Sequence, residues 1–172
     1  MLASDSSGGN VTCSVLWKRA SSESGNYTVT WSGTQQGEFR ILRISGASLG
    51  ATPIANGSAN SGVSGTSTGL SMNTFADNSL VLYCAGVDRD RVNGSTDVTG
   101  TDWVKITSGS SGGAGGAGVI IGSKDMPVVS GSPSGNVTST FTSDDWATRQ
   151  YSIAGTGTAP TGFAHSQGII VG

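Results

Sequence analysis

Gly113-Ala114-Gly115-Gly116-Ala117-Gly118 meets the G-x-G-x-x-G spacing with which dinucleotide folds cradle a pyrophosphate. That chemistry needs a strand running straight into the glycines and a helix opening after them, its first N–H groups aimed at the phosphate. Here a polar "SGSS" spacer precedes the run and the β-branched "VIIGS" follows it. No acidic residue stands where a βαβ unit would place one, and "GSK" is not the "GK[ST]" of a phosphate-binding P-loop. The run is expected to turn a hairpin, and no cofactor is expected.

Asp88, Asp90, Asn93 and Asp97 lie together in "DRDRVNGSTD" and could offer oxygen ligands to calcium. A calcium loop alternates its ligands and closes on a bidentate Glu. Val92 breaks the alternation, no Glu follows, and Arg89 and Arg91 add positive charge. The expectation is a solvated loop turning at Asn93-Gly94, with no metal site. Hydrolysis would need a nucleophile with its base, or two carboxylates flanking one bond. The single histidine, His165, sits in a Gly/Thr/Pro-rich tail, a poor place to preorganise a base. Asp144 and Asp145 are neighbours, and adjacent residues of a strand face opposite ways. No catalytic, cofactor-binding or metal-binding residue is assigned, and the chain is not expected to be an enzyme.

Of the four tryptophans, Trp17, Trp31 and Trp103 fall within apolar alternation and read as core. Trp146 stands among polar neighbours and reads as exposed, the one residue suited to stacking on a sugar ring. Cys13 and Cys84 lie in the apolar runs "NVTCSVLW" and "SLVLYCAG" and read as buried free thiols.

Charged residues make up only 12% of the 172, with Lys plus Arg at 9 and a net charge of -2. No basic stripe forms, which argues against nucleic-acid binding. No apolar run approaches the roughly 20 residues of a membrane helix. "MLASDSSGGN" has neither a basic region nor an apolar core, so no signal peptide is expected there. The N-x-S/T triplets at Asn10, Asn26, Asn56, Asn93 and Asn136 follow from an Asn/Ser/Thr-rich composition.

The elements that must position these residues alternate with period two, the mark of strands with one buried face. Three segments recur in order: "LASDSSGG" with "ITSGSSGG", "SGNYTVTW" with "SGNVTSTF", and "RILRISG" with "RQYSIAG". Tyr27, Val29 and Trp31 thus answer to the strand beginning at Val137, and Arg40, Leu42 and Ile44 to Arg149, Tyr151 and Ile153. "SDDWATRQY" could start a short helix at Ser143, but its counterpart reads as a strand. The expectation is an all-β chain: an antiparallel β-sandwich of jelly-roll type over residues 1–155, built from two related halves. Half one is 1–46 and half two 77–155. Residues 47–76 form a polar surface connection with one short strand, "TGLSMNTFA".

Half one lacks a counterpart of "NSLVLYCAGVD", which leaves a sheet edge open. The tail, 156–172, is expected to supply a strand from Gly168 to Gly172, to this edge or to a neighbour's.

The train "WKRAS…GNYTVTWSG…FRILRISGA…TPI…DNSLVLYCAGVD…DWVKI" resembles the Gly/Ser/Thr-rich β-sandwich domains of tailed-phage virion proteins, from about Val11 to Gly155. Such domains occur in head decoration proteins and tail fibres. The resemblance implies a structural virion protein, most directly a capsid decoration (cement) protein at the particle surface. Its partners would be the major capsid protein or other virion proteins and sister subunits, three to an assembly by that resemblance. The alternative it implies is a tail-fibre or receptor-binding module for a host glycan. It carries no catalytic motif.

Overall fold

Ser79–Asp88 is apolar at almost every position because both of its faces are covered. The computed structural model describes residues 2–8, 10–22, 24–30, 36–48, 54–113, 115–127, 131–156 and 165–168. Among these the chain is all-β: β1 (Leu2–Gly8), β2 (Val11–Trp17), β3 (Ile41–Ile44), β4 (Ile54–Gly69), β5 (Ser79–Asp88), β6 (Val104–Ser110), β7 (Ala117–Met126), β8 (Val137–Ala154) and β9 (His165–Gly168). An open antiparallel sheet runs in the order β4-β8-β5-β7-β6, with β5 at its centre. β1 pairs with β2, and β3 with β9. A central strand covered on both sides reads as a continuous apolar run. Each fully buried Leu or Val contributes roughly 1.5–3 kcal/mol to that core.

One face of β5 presents Val81, Tyr83, Ala85 and Val87, which pack with Val92, Val98, Trp103, Ile120, Val137 and Trp146. Much of its cover comes from the sheet itself. β4 and β8 stay paired from Ile54↔Ile153 to Gly69↔Val137, with register shifts between Asn56 and Ala59 and between Ser64 and Thr66. Only the Trp146–Ala154 half of β8 also pairs with β5. Beyond the second shift the ribbon folds back over the face. There the Ser67 and Tyr83 hydroxyls lie 2.7 Å apart, and Thr148 Oγ1 donates to the Thr68 carbonyl at 3.0 Å. Bulges bend a strand in this way. Close approach demands a bare backbone at Gly69, where a Cβ would meet the Tyr83 ring at 2.7 Å and Val137 at 2.8 Å.

The opposite face presents Leu80, Leu82 and Cys84, covered by Val11, Cys13 and Val15 of the β1–β2 hairpin and by Leu42 and Ile44 of β3. The hairpin turn is fixed by Asn10, whose backbone N–H and side-chain amide both donate to Asp145 at 3.0 Å. β3 is held where Ser48 N–H donates to the Ala154 carbonyl and Thr156 N–H to that of Gly46.

Three expectations need correction. The polar connection 47–76 contains the 16-residue strand β4, whereas "TGLSMNTFA" contributes only Thr68 and Gly69 to it. Serine serves in this strand where its hydroxyl finds a partner within the fold, as at Ser58, Ser64 and Ser67. The Tyr27–Val29 strand does not form: Tyr27 and Val29 are 42% and 41% exposed and lie outside any strand. Its counterpart at Val137 becomes a strand because β4 lies beside it; alternation without a neighbouring strand does not suffice. Trp146 is 5% exposed, not solvent-facing. The "SDDWATRQY" segment is strand throughout. The tail does pair, with β9 running Ile41↔Gly168 to Ile44↔His165. The expected strand thus touches this pairing only at Gly168; 169–172, like Trp31, lie outside the described residues.

Candidate functional site

The glycine run lies in the turn between β6 and β7, after the Ser110↔Gly118 pair closes the ladder. Gly112 and Gly113 take φ of +77° and +83°, the left-handed region that glycine enters without strain. Three of its N–H donors are engaged within the loop. Ser111 N–H bonds the Ala117 carbonyl, Gly116 N–H that of Gly113, and Ala117 N–H the Ser111 hydroxyl. A strand, β7, follows it. The matched hairpin β1–β2 pairs Gly8 with Val11 and turns more tightly. The loop reverses the chain from β6 into β7.

The residues of the acidic loop part company. Asp88 accepts from Arg89 N–H, Asp90 from the Ser110 hydroxyl, and Asp97 from Val98 N–H. Asn93 Oδ1 accepts from Ser95 and Thr96, closing a turn of the kind Asn favours. Among the described residues, no group of three or more His, Cys, Asp or Glu side chains is arranged to hold a metal.

Asp144 and Asp145 also diverge. Asp145 receives Asn10, while Asp144 takes Arg91 Nε at 3.0 Å and Arg89 Nη1 at 3.8 Å. Burial pushes the Asp144 carboxyl upward. The Arg91 hydrogen bond, the Asp145 N–H and the two guanidinium charges outweigh that and hold it below the ordinary carboxylate value. A carboxylate so engaged is a clamp between the 88–97 loop and β8. Sequence reasoning treated Arg89 and Arg91 only as charges that repel calcium. Arg89 takes a φ of +59°, so the two side chains reach Asp144 from a bent segment that their spacing alone does not announce.

The aromatic side chains serve packing. The Trp146 ring covers Gly62, its cross-strand partner, and its Nε1 donates to the Ser64 hydroxyl at 3.0 Å. Trp103 is buried and meets Tyr83 edge-on at 6.3 Å, and Trp17 is half-buried. Cys13 and Cys84 are free and buried. Burial raises the Cys13 thiol to about 11 and pushes Cys84 up as well, so both are poor nucleophiles near neutrality.

What the surface offers is apolar side chains and strand edges. Leu16, Tyr27, Val29, Val63, Leu70, Phe75 and Val104 are exposed. The tail joins the body by main-chain pairing, β9 on β3. Comparison of the chain with protein-family models, curated proteins and solved structures finds no match.

Proposed function

We propose that the chain is a structural virion protein of a bacteriophage, a decoration protein that attaches to the capsid exterior and stabilises the particle. In this reading the fold is a jelly-roll sandwich of two related halves. The β1–β2 hairpin and β3–β9 form the layer over the Leu80 face of the main sheet. The observation that carries the reading is β9 on β3: a C-terminal strand added across a long stretch of sequence to an edge that the first half leaves open. Strand addition of this kind gives affinity through main-chain hydrogen bonds and suits a clamp between subunits. The sequence resemblance to phage virion domains supports the same role. Low charge and abundant hydroxyl groups suit many small polar contacts repeated over a lattice, and repetition multiplies weak contacts into firm attachment.

The glycan-binding alternative loses its stacking residue, since the Trp146 ring covers Gly62 and its indole N–H is engaged. The decoration role is tested by deleting the gene from the phage. Particles lacking the protein should release DNA at a lower temperature than complete ones, and purified protein added back should restore retention. Unchanged heat stability of the deleted particles would contradict the role.

A further inference from the structure

The tripeptide Asn-Gly-Ser occurs twice, at Asn56–Ser58 and at Asn93–Ser95, and the fold treats the two copies differently. The first lies in β4, where Asn56 pairs with Tyr151. Gly57 is hemmed in there: a Cβ would meet the Gln150 carbonyl at 2.6 Å and the Met72 sulfur. The second is exposed, in the turn of the 88–97 loop. Among the described residues, nothing stands within 4 Å of where a Gly94 Cβ would sit.

The groups around Asn93 favour one reaction. An asparagine side chain carries an electrophilic carbon, Cγ, on which the nitrogen of the next residue can close a five-membered ring. Two costs oppose closure: the nitrogen must lose its proton, and the side-chain carbonyl must take up negative charge. Both fall where hydrogen-bond donors already await that charge. Asn93 Oδ1 accepts from Ser95 N–H at 2.9 Å, Ser95 Oγ at 2.8 Å and Thr96 N–H at 3.1 Å. These donors meet the oxyanion of ring closure. When the Gly94 nitrogen loses its proton, charge spreads onto the Asn93 main-chain carbonyl. That oxygen accepts from Ser108 Oγ at 2.8 Å and Thr96 N–H at 3.0 Å. Lys105 Nζ, on the Gly94 carbonyl at 3.1 Å, adds a positive charge nearby. Among the described residues, nothing accepts from the Gly94 N–H or from the Asn93 amide nitrogen. Nucleophile and leaving group are both unencumbered.

We propose that Asn93 is a self-modifying site: the Gly94 nitrogen bonds Asn93 Cγ, ammonia leaves, and water opens the succinimide to aspartate or isoaspartate. Hydroxide takes the Gly94 proton, the Cγ–Nδ2 bond breaks, and the departing nitrogen draws its proton from water. The net change consumes one water and releases one ammonia, with no oxidant or cofactor. Aspartate keeps an acceptor for the Ser95 and Thr96 donors and adds a negative charge to a chain of net charge -2. Isoaspartate instead routes the main chain through Cγ and turns the carbonyl that Ser108 holds into a pendant carboxylate. Because ammonia is lost, the change runs one way and its extent records the age of the folded chain. The site stands independently of the decoration role.

Incubating the purified full-length chain at pH 8 and mapping its peptides by mass spectrometry tests the site. Amide-to-acid conversion is followed at both Asn-Gly-Ser copies, and isoaspartyl methyltransferase labelling counts the isoaspartate. Asn93 should convert at least about tenfold faster than Asn56, whose strand pairing must open first. In urea the two copies should approach a common rate, since their tripeptides are identical. Ser95→Ala and Ser108→Ala each remove one hydroxyl donor from the Asn93 oxygens. Each should slow conversion at Asn93 about fivefold, the rate equivalent of one hydrogen bond. The comparison of the two copies in wild type needs no variant, so a variant that folds poorly leaves the test intact. Asn93 converting no faster than Asn56 in the folded chain would overturn the proposal. So would wild-type rates at Asn93 in both serine variants, because the surrounding donors would then contribute nothing.

Discussion

Alkaline pH should loosen the contact between the β1–β2 hairpin and the main sheet, and Cys13 sets the scale. Its thiol is buried against β5, and burial raises it from 9.0 to about 11. In the unfolded chain it ionises near its ordinary value. Between pH 9 and 11 the native state therefore holds a proton that the unfolded state has lost. The stability this group contributes is complete below pH 9 and falls as pH rises through 11. The slope is about 1.4 kcal/mol per pH unit, or about 2.7 kcal/mol across the two units. Cys84, also raised by burial, and Tyr83, raised to about 12, extend the decline. Urea unfolding of wild type and Cys13→Ala at pH 8, 9, 10 and 11 isolates the share of Cys13. The variant should lose some stability at every pH through the small cavity it leaves. Its further decline above pH 9 should be shallower than wild type by about 1.4 kcal/mol per unit. Parallel profiles would refute the reasoning, because the thiol would then ionise as readily in the folded protein as in the unfolded chain.

Gly69→Ala forces a methyl group to 2.7 Å from the Tyr83 ring, and should cost about 1–3 kcal/mol in urea unfolding. Trp146→Ala should cost about 3–5 kcal/mol, as expected for a buried tryptophan; a change within error at an unaltered m-value would restore its reading as a surface residue. Asp144→Asn removes the partner of Arg91. The native carboxyl is held low, so its contribution is present above pH 3.8 and is lost as pH falls through the lowered native value. The variant should therefore be less stable than wild type at pH 7 and converge with it in acid, which unfolding midpoints from pH 7 to 2 would check.

The strands that sequence made legible are those whose burial is written in apolar residues. β5 stands out through "SLVLYCAGVD", and β2 through the alternation of Val11, Cys13 and Val15. β4 was hidden because its inward positions are Ser67 and Gly69, small residues chosen to fit under Tyr83 rather than for hydrophobicity. Trp146 misled for a related reason. Its period-two neighbours Thr148 and Gln150 look solvated but are wholly buried, with Gln150 accepting from the Ser134 hydroxyl at 2.8 Å. Tyr27 and Val29 misled in the other direction, since a strand pattern records what a segment can pair with and not that a partner strand lies beside it. The Asp144–Arg91 clamp joins residues 53 positions apart, and no local pattern announces such a pairing.

The decoration role is tested most directly by cryo-electron microscopy of purified particles whose copy of this chain carries a small rigid tag. The account predicts tag density repeated at equivalent positions over the outside of the shell. Density confined to the tail tip, or particles that carry none of the protein, would contradict it.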